Sequence, residues 1–154
     1  RPRAPPAFES PCRIRSLVVN GYDVTGWMDR PTYCVFDTGT TGMLVSRRLW
    51  EKTLFRTGVQ QCALELPTAD GRGTIVEAST RSCRKDCLLV GTPIDVQWRP
   101  PASEIGPEGP PSYDVIFLGL AFLSSRQFMA VDLDKSLLSL GPYRDLDLNP
   151  PTAV

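Results

Sequence analysis

The chain has 154 residues, enough for one domain whose core needs neither a metal nor a dense set of disulfides. Lys and Arg total 17 and so do Asp and Glu, so there is no net field to gather nucleic acid or an anionic membrane surface, and neither is expected as a partner. Histidine is absent, which excludes Ser-His-Asp and Cys-His catalysis and the usual zinc ligand sets and leaves carboxylates to carry any acid-base work.

No run approaches the roughly 18 to 20 apolar residues that cross a bilayer, and no signal-peptide pattern opens the chain. Arg1 rather than Met stands first, as in a processed piece of a longer precursor. Cys12, Cys34, Cys62, Cys83 and Cys87 make an odd count, so at least one thiol is free or shared with another chain. Cys83 and Cys87 are spaced to close a small disulfide across a turn, and buried thiols are expected of the others. Neither a metal nor a cofactor is expected.

In chain order, residues 1–11 are proline-rich and lack apolar periodicity, the composition of an arm that lies over a surface, its own or a partner's. Order is expected from Cys12. Ile14, Leu17, Val18 and Val19 precede Asn20-Gly21, and Tyr22, Val24 and Trp27 follow, which predicts a β-hairpin with a two-residue turn. Tyr33, Cys34, Val35 and Phe36 are apolar on both faces, as in a buried strand, and end at Asp37-Thr38-Gly39-Thr40. Met43-Leu44-Val45 resumes extended structure. Ser46 is a candidate N-cap for a short helix through Glu51.

Ala63–Leu66, Thr74–Ala78 and Leu88–Val90 alternate or run apolar between glycine-rich breaks, the pattern of an antiparallel meander. Residues 99–112 are rich in Pro, Gly and Glu and predict an exposed loop. Tyr113 to Gly119 reads as an apolar strand, Leu120 to Arg126 as a helical turn, and Phe128–Asp132 with Ser136–Leu140 as a closing hairpin around Leu133-Asp134-Lys135. Residues 142–154 form a proline-rich tail, which leaves residues 12–141 as the folded unit. Trp27, Trp50 and Trp98 suit core or interface anchors. Arg81, Arg84 and Lys85 suit a solvated face, and Asp132 and Asp134 suit the turn that holds them.

Taken together, Val35-Phe36-Asp37-Thr38-Gly39-Thr40 and the downstream Phe117-Leu118-Gly119, each in its order before a helical turn and a hairpin, resemble the aspartic protease superfamily. The likeness runs from about Leu17 to Gly141 and suits either a retropepsin-like single lobe or one lobe of a pepsin-like enzyme. It implies an all-β fold, a single-lobe closed β-barrel of the acid-protease type with one or two short helices. It also implies Asp37 as the catalytic residue, with Thr38, Gly39, Thr40, Leu118 and Gly119 supporting its loop. In that family Gly39 lets the loop approach its symmetry mate, the residue matching Thr38 bonds across the two-fold, and the one matching Thr40 braces the carboxylate. A hairpin with Asp70, Gly71, Arg72 and Gly73 at its tip is the candidate flap over an extended peptide; an ordinary turn fits these residues as well.

The Asp-Thr-Gly loop occurs once. Peptide hydrolysis of this type needs two carboxylates sharing a proton, so the chain carries half of such a site. Two readings follow: an endopeptidase assembled as a homodimer, or a protease-like subunit of a larger complex that no longer cuts. One lobe of a two-lobed enzyme is a third.

Overall fold

Asn20 and Gly21 both adopt positive φ, 52° and 82°, the backbone of a tight hairpin turn whose twist matches its flanking strands. The computed structural model describes residues 7–9, 11–51, 53–79, 107, 112–124, 126 and 128–142. The proposed Cys83–Cys87 bridge, the Leu88–Val90 strand, Trp98, the basic cluster at 81–85, nearly all of the 99–112 loop and the tail beyond Pro142 lie outside these.

Eleven strands are present among the described residues: β1 (Ala7–Glu9), β2 (Cys12–Arg13), β3 (Ser16–Val19), β4 (Tyr22–Asp23), β5 (Thr32–Phe36), β6 (Met43–Val45), β7 (Gln61–Pro67), β8 (Gly73–Ser79), β9 (Asp114–Leu118), β10 (Met129–Asp132) and β11 (Leu137–Leu140). They form three sheets, ordered β1-β11-β10, β2-β5-β9-β6 and β4-β3-β7-β8. The fold is therefore mostly β-sheet, and none of these sheets closes on itself among the described residues.

The core draws on β11, through Leu138 and Leu140, and on both four-stranded sheets. Cys12, Cys34, Met43, Val45, Ile116 and Leu118 come from one, and Leu17, Val19, Cys62, Leu64, Leu66, Val76 and Ala78 from the other. β7 shows why: Cys62, Leu64 and Leu66 are buried while Ala63 and Glu65 between them are half-buried, the period of a strand with one face inward. Trp27 and Trp50 pack at the margin of this core. Burial pushes the Cys62 thiol up to about 12 and the Cys34 thiol well above its usual 9.0, so both are neutral packing groups.

Among the described residues three four-residue helices join the strands, α1 (Arg47–Trp50), α2 (Thr53–Arg56) and α3 (Leu120–Leu123), with a 3-10 turn at Thr25–Trp27. This exceeds the one or two expected, because α2 carries no capping signal and is held through Phe55 in the core. Two other expectations are corrected. Ala7–Glu9, inside the anticipated arm, pairs antiparallel with β11, so order begins before Cys12. Ser46 does not cap α1 with its side chain; its hydroxyl donates to Asp114 Oδ1 at 2.8 Å instead.

Candidate active site

β9 is the piece that positions the Asp37 loop. It runs parallel to β5, pairing Phe36 with Leu118, and antiparallel to β6, pairing Met43 with Leu118. The 37–42 loop joins β5 to β6, so it must pass around the end of β9. The turn is bound at every step: Asp37 N–H donates to the Leu118 carbonyl at 2.9 Å, Gly119 N–H to Gly42 at 2.8 Å, Leu120 N–H to Thr40 at 2.8 Å and Ala121 N–H to Thr41 at 2.9 Å. Leu118 is fully buried beneath it. Gly119, Leu120 and Ala121 lead into α3, so helix and loop hold one another.

The Asp37 carboxylate is half-buried at the turn. Its Oδ1 accepts from Gly39 N–H and its Oδ2 from the Thr40 hydroxyl, each at 2.8 Å. A carboxylate offers about four lone-pair positions, so two remain for water or a second acid. Thr38 is exposed beside it. Gly39 is not in the left-handed region, and a Cβ there would sit 3.2 Å from Asp37 Oδ1, a mild approach. The steric demand falls on Gly119, where a Cβ would lie 2.1 Å from the Thr40 carbonyl oxygen.

Asp37 opens onto a groove of about 370 Å³ whose far wall is the β10–β11 hairpin: Met129, Val131, Asp132, Leu133, Leu137 and neighbours. Asp132 serves its turn as anticipated, accepting from Lys135 N–H at 3.1 Å and pairing with its ammonium at 3.6 Å. That it also lines the Asp37 groove has no local signal, since the two residues meet only through the fold. Among the described residues no cluster of His, Cys, Asp or Glu is arranged to hold a metal.

The flap candidate is the β7–β8 hairpin, paired in register from Gln61–Ser79 to Pro67–Gly73. Its tip is tied by Thr68 N–H to the Arg72 carbonyl at 2.7 Å, and Gly71 takes φ 80°, which a side chain would resist. Arg15 reaches across to donate to the Gly71 carbonyl at 3.1 Å. The Thr68 hydroxyl, then the Arg72 backbone N–H and guanidinium, hold Asp70 below its usual 3.8. Because the folded value lies under the unfolded one, the carboxylate's contribution to the tip is complete above pH 3.8 and is lost as pH falls through the folded value. The Arg72 amide is accordingly expected to lose hydrogen-exchange protection on acidification, and Asp70→Asn to remove that dependence. An Arg72 amide whose protection ignores pH in the parent protein would refute this.

No protein-family model matches the chain, and no curated protein matches it at a significant level.

Proposed function

We propose that the chain is an aspartic endopeptidase of the retropepsin-like kind, active as a homodimer in which each copy supplies one Asp37. The observation that carries this reading is the bracing of the Asp37 loop: β9 lies between the two strands the loop connects, and both carboxylate oxygens are oriented by the loop's own donors. Such a carboxylate is preorganised while keeping lone pairs for chemistry. Extended peptide would lie in the Asp37 groove; no described residue of the β7–β8 hairpin lines it, and the hairpin tip borders a separate pocket with Pro11, Cys12 and Arg13. The closed single-lobe barrel belongs to the same proposal.

Two Asp37 carboxylates at hydrogen-bond distance would share one proton, since two adjacent negative charges in a half-buried site repel. The ionised member takes a proton from water as its oxygen attacks the scissile carbonyl carbon. The protonated member donates to the carbonyl oxygen, and collapse of the tetrahedral species passes a proton to the leaving nitrogen as the C–N bond breaks. No metal or cofactor enters this sequence.

A second reading is favoured by the same two hydrogen bonds, which also describe a turn aspartate satisfying its own loop. Under it the chain is a catalytically inactive subunit of a larger assembly. Peptidase assays on an unfolded protein substrate separate the two. Acid-dependent cleavage, blocked by a statine-type inhibitor and reduced at least about 10³-fold by Asp37→Asn, is the expected result. Absence of cleavage from acidic to neutral pH by a preparation shown to be dimeric would leave the inactive subunit.

A further inference from the structure

β10 is the outermost strand of its sheet: β11 pairs with one of its edges, and among the described residues nothing pairs with the other. An unpaired edge is a template for another strand, and soluble proteins blunt such edges with lysine, proline or a bulge. Met129-Ala130-Val131-Asp132 has no lysine or proline and pairs with β11 without a bulge, and its one charge, Asp132, stands at the strand's end. Met129 and Val131, two apart on the strand, share a face, and they are exposed, as is Leu133 in the turn just beyond, Val131 at 53% and Leu133 at 85%. Together they present roughly 300 Å² of apolar surface, in the range of the largest patch on a typical monomer, which is often functional. Met129, Val131 and Leu133 also line the groove that holds Asp37 and Thr38, so this face is continuous with the candidate site.

We propose that β10 pairs antiparallel with β10 of a second copy, with Val131 on the two-fold axis. The apolar pattern selects both occupant and register. With Val131 opposite itself, Met129 meets Leu133 of the partner subunit, and Asp132 meets the small Ala130 of the partner subunit rather than another carboxylate. A slip of one residue sets the apolar triplet of one copy on the same face as Asp132 of the other, and a slip that places Asp132 opposite itself juxtaposes like charges. The strand is thus self-complementary, as an interface between identical copies requires. The inference rests on the Asp37 reading in one respect: a lone carboxylate needs a twin, and pairing at β10 closes the surface that Asp37 faces with a second such groove.

The test uses the full 154-residue chain. Sedimentation is expected to give a dimer for the parent protein. Val131→Glu, which puts two carboxylates on the axis, is expected to weaken dimerisation at least about 100-fold while circular dichroism stays native. Val131→Cys under mild oxidation is expected to yield a covalent dimer on non-reducing gels, and Ala130→Cys, which faces Asp132, is not; this pair decides the matter if Val131→Glu misfolds. A parent protein that is monomeric at every concentration, or a Val131→Glu dimer of unchanged affinity, overturns the proposal. Covalent dimer without peptidase activity upholds the interface and sinks the enzyme. Peptidase activity that survives in a Val131→Glu monomer sinks the paired-Asp37 mechanism and leaves the interface standing.

Discussion

Gly119→Ala is expected to destabilise the protein by at least about 3 kcal/mol, at or beyond the upper end of ordinary overpacking. The added methyl would lie 2.1 Å from the Thr40 carbonyl oxygen, 2.6 Å from the Thr40 carbonyl carbon and 2.6 Å from the Gly42 carbonyl oxygen. These are backbone atoms, and both oxygens are engaged, Thr40 by Leu120 N–H and Gly42 by Gly119 N–H, each at 2.8 Å. Relief by retreat therefore breaks the bonds that hold the Asp37 loop against α3. Gly39→Ala is the matched control. Its methyl would meet one side-chain oxygen at 3.2 Å, an approach relieved by a few tenths of an ångström without breaking the Gly39 N–H bond to that oxygen, so a cost under about 1 kcal/mol is expected. Urea melts followed by circular dichroism measure both. Similar costs for the two would mean that the loop yields easily and that Gly119 is not its steric keystone.

The contrast between these glycines shows where local reading reached and where it stopped. Asn20-Gly21, the apolar run into Asp37 and the strand ending at Leu118 were legible because each is a local pattern: a turn dipeptide, a two-faced buried strand, an alternation. The bracing of Asp37 by Thr40 was implied by resemblance alone, and the hydrogen bond is present. Gly119 was placed among the supporting residues, yet its demand for a missing Cβ arises from carbonyls nearly eighty residues earlier in the chain, which no local window contains. Ala7–Glu9 lies in the anticipated arm and pairs with the chain's own β11, and only the start of order near Cys12 was set too late, because proline composition hid a three-residue strand whose partner is more than a hundred residues away. The exposed face of β10 was in the alternation of Met129, Val131 and Leu133, but alternation does not tell an edge from a covered strand. Ser46 misled for a related reason: a serine before a helix is a capping signal until a buried acid competes for its hydroxyl.

That acid, Asp114, sets the second large effect. Only 2% exposed, it receives the Ser46 hydroxyl and pairs with the Arg48 guanidinium, which also reaches Asp29. The Asp114 hydrogen bond is the main cause that raises Arg48 above its ordinary value, with Asp29 adding to it. Removing Arg48 strands a carboxylate that water scarcely reaches, so Arg48→Ala is expected to cost about 2–4 kcal/mol, less than a fully enclosed pair because the Arg48 side chain is itself a quarter exposed. Arg48→Lys should recover only part of this, since an ammonium lacks the planar fork that serves two acids together. A double-mutant cycle with Asp114→Ala isolates the pair: with the acid gone, Arg48→Ala should cost under about 1 kcal/mol. Arg48 stands on α1 directly after β6, and Asp114 opens β9, so the pair ties together the two strands that flank the Asp37 loop on its β6 side. Its loss is expected to reduce hydrogen-exchange protection at Gly119 N–H, which bonds across that junction, more than at Val19 N–H in the other four-stranded sheet. Equal loss at both would make Arg48 a contributor to global stability alone, and no loss of stability at all would mean that water reaches Asp114 after all.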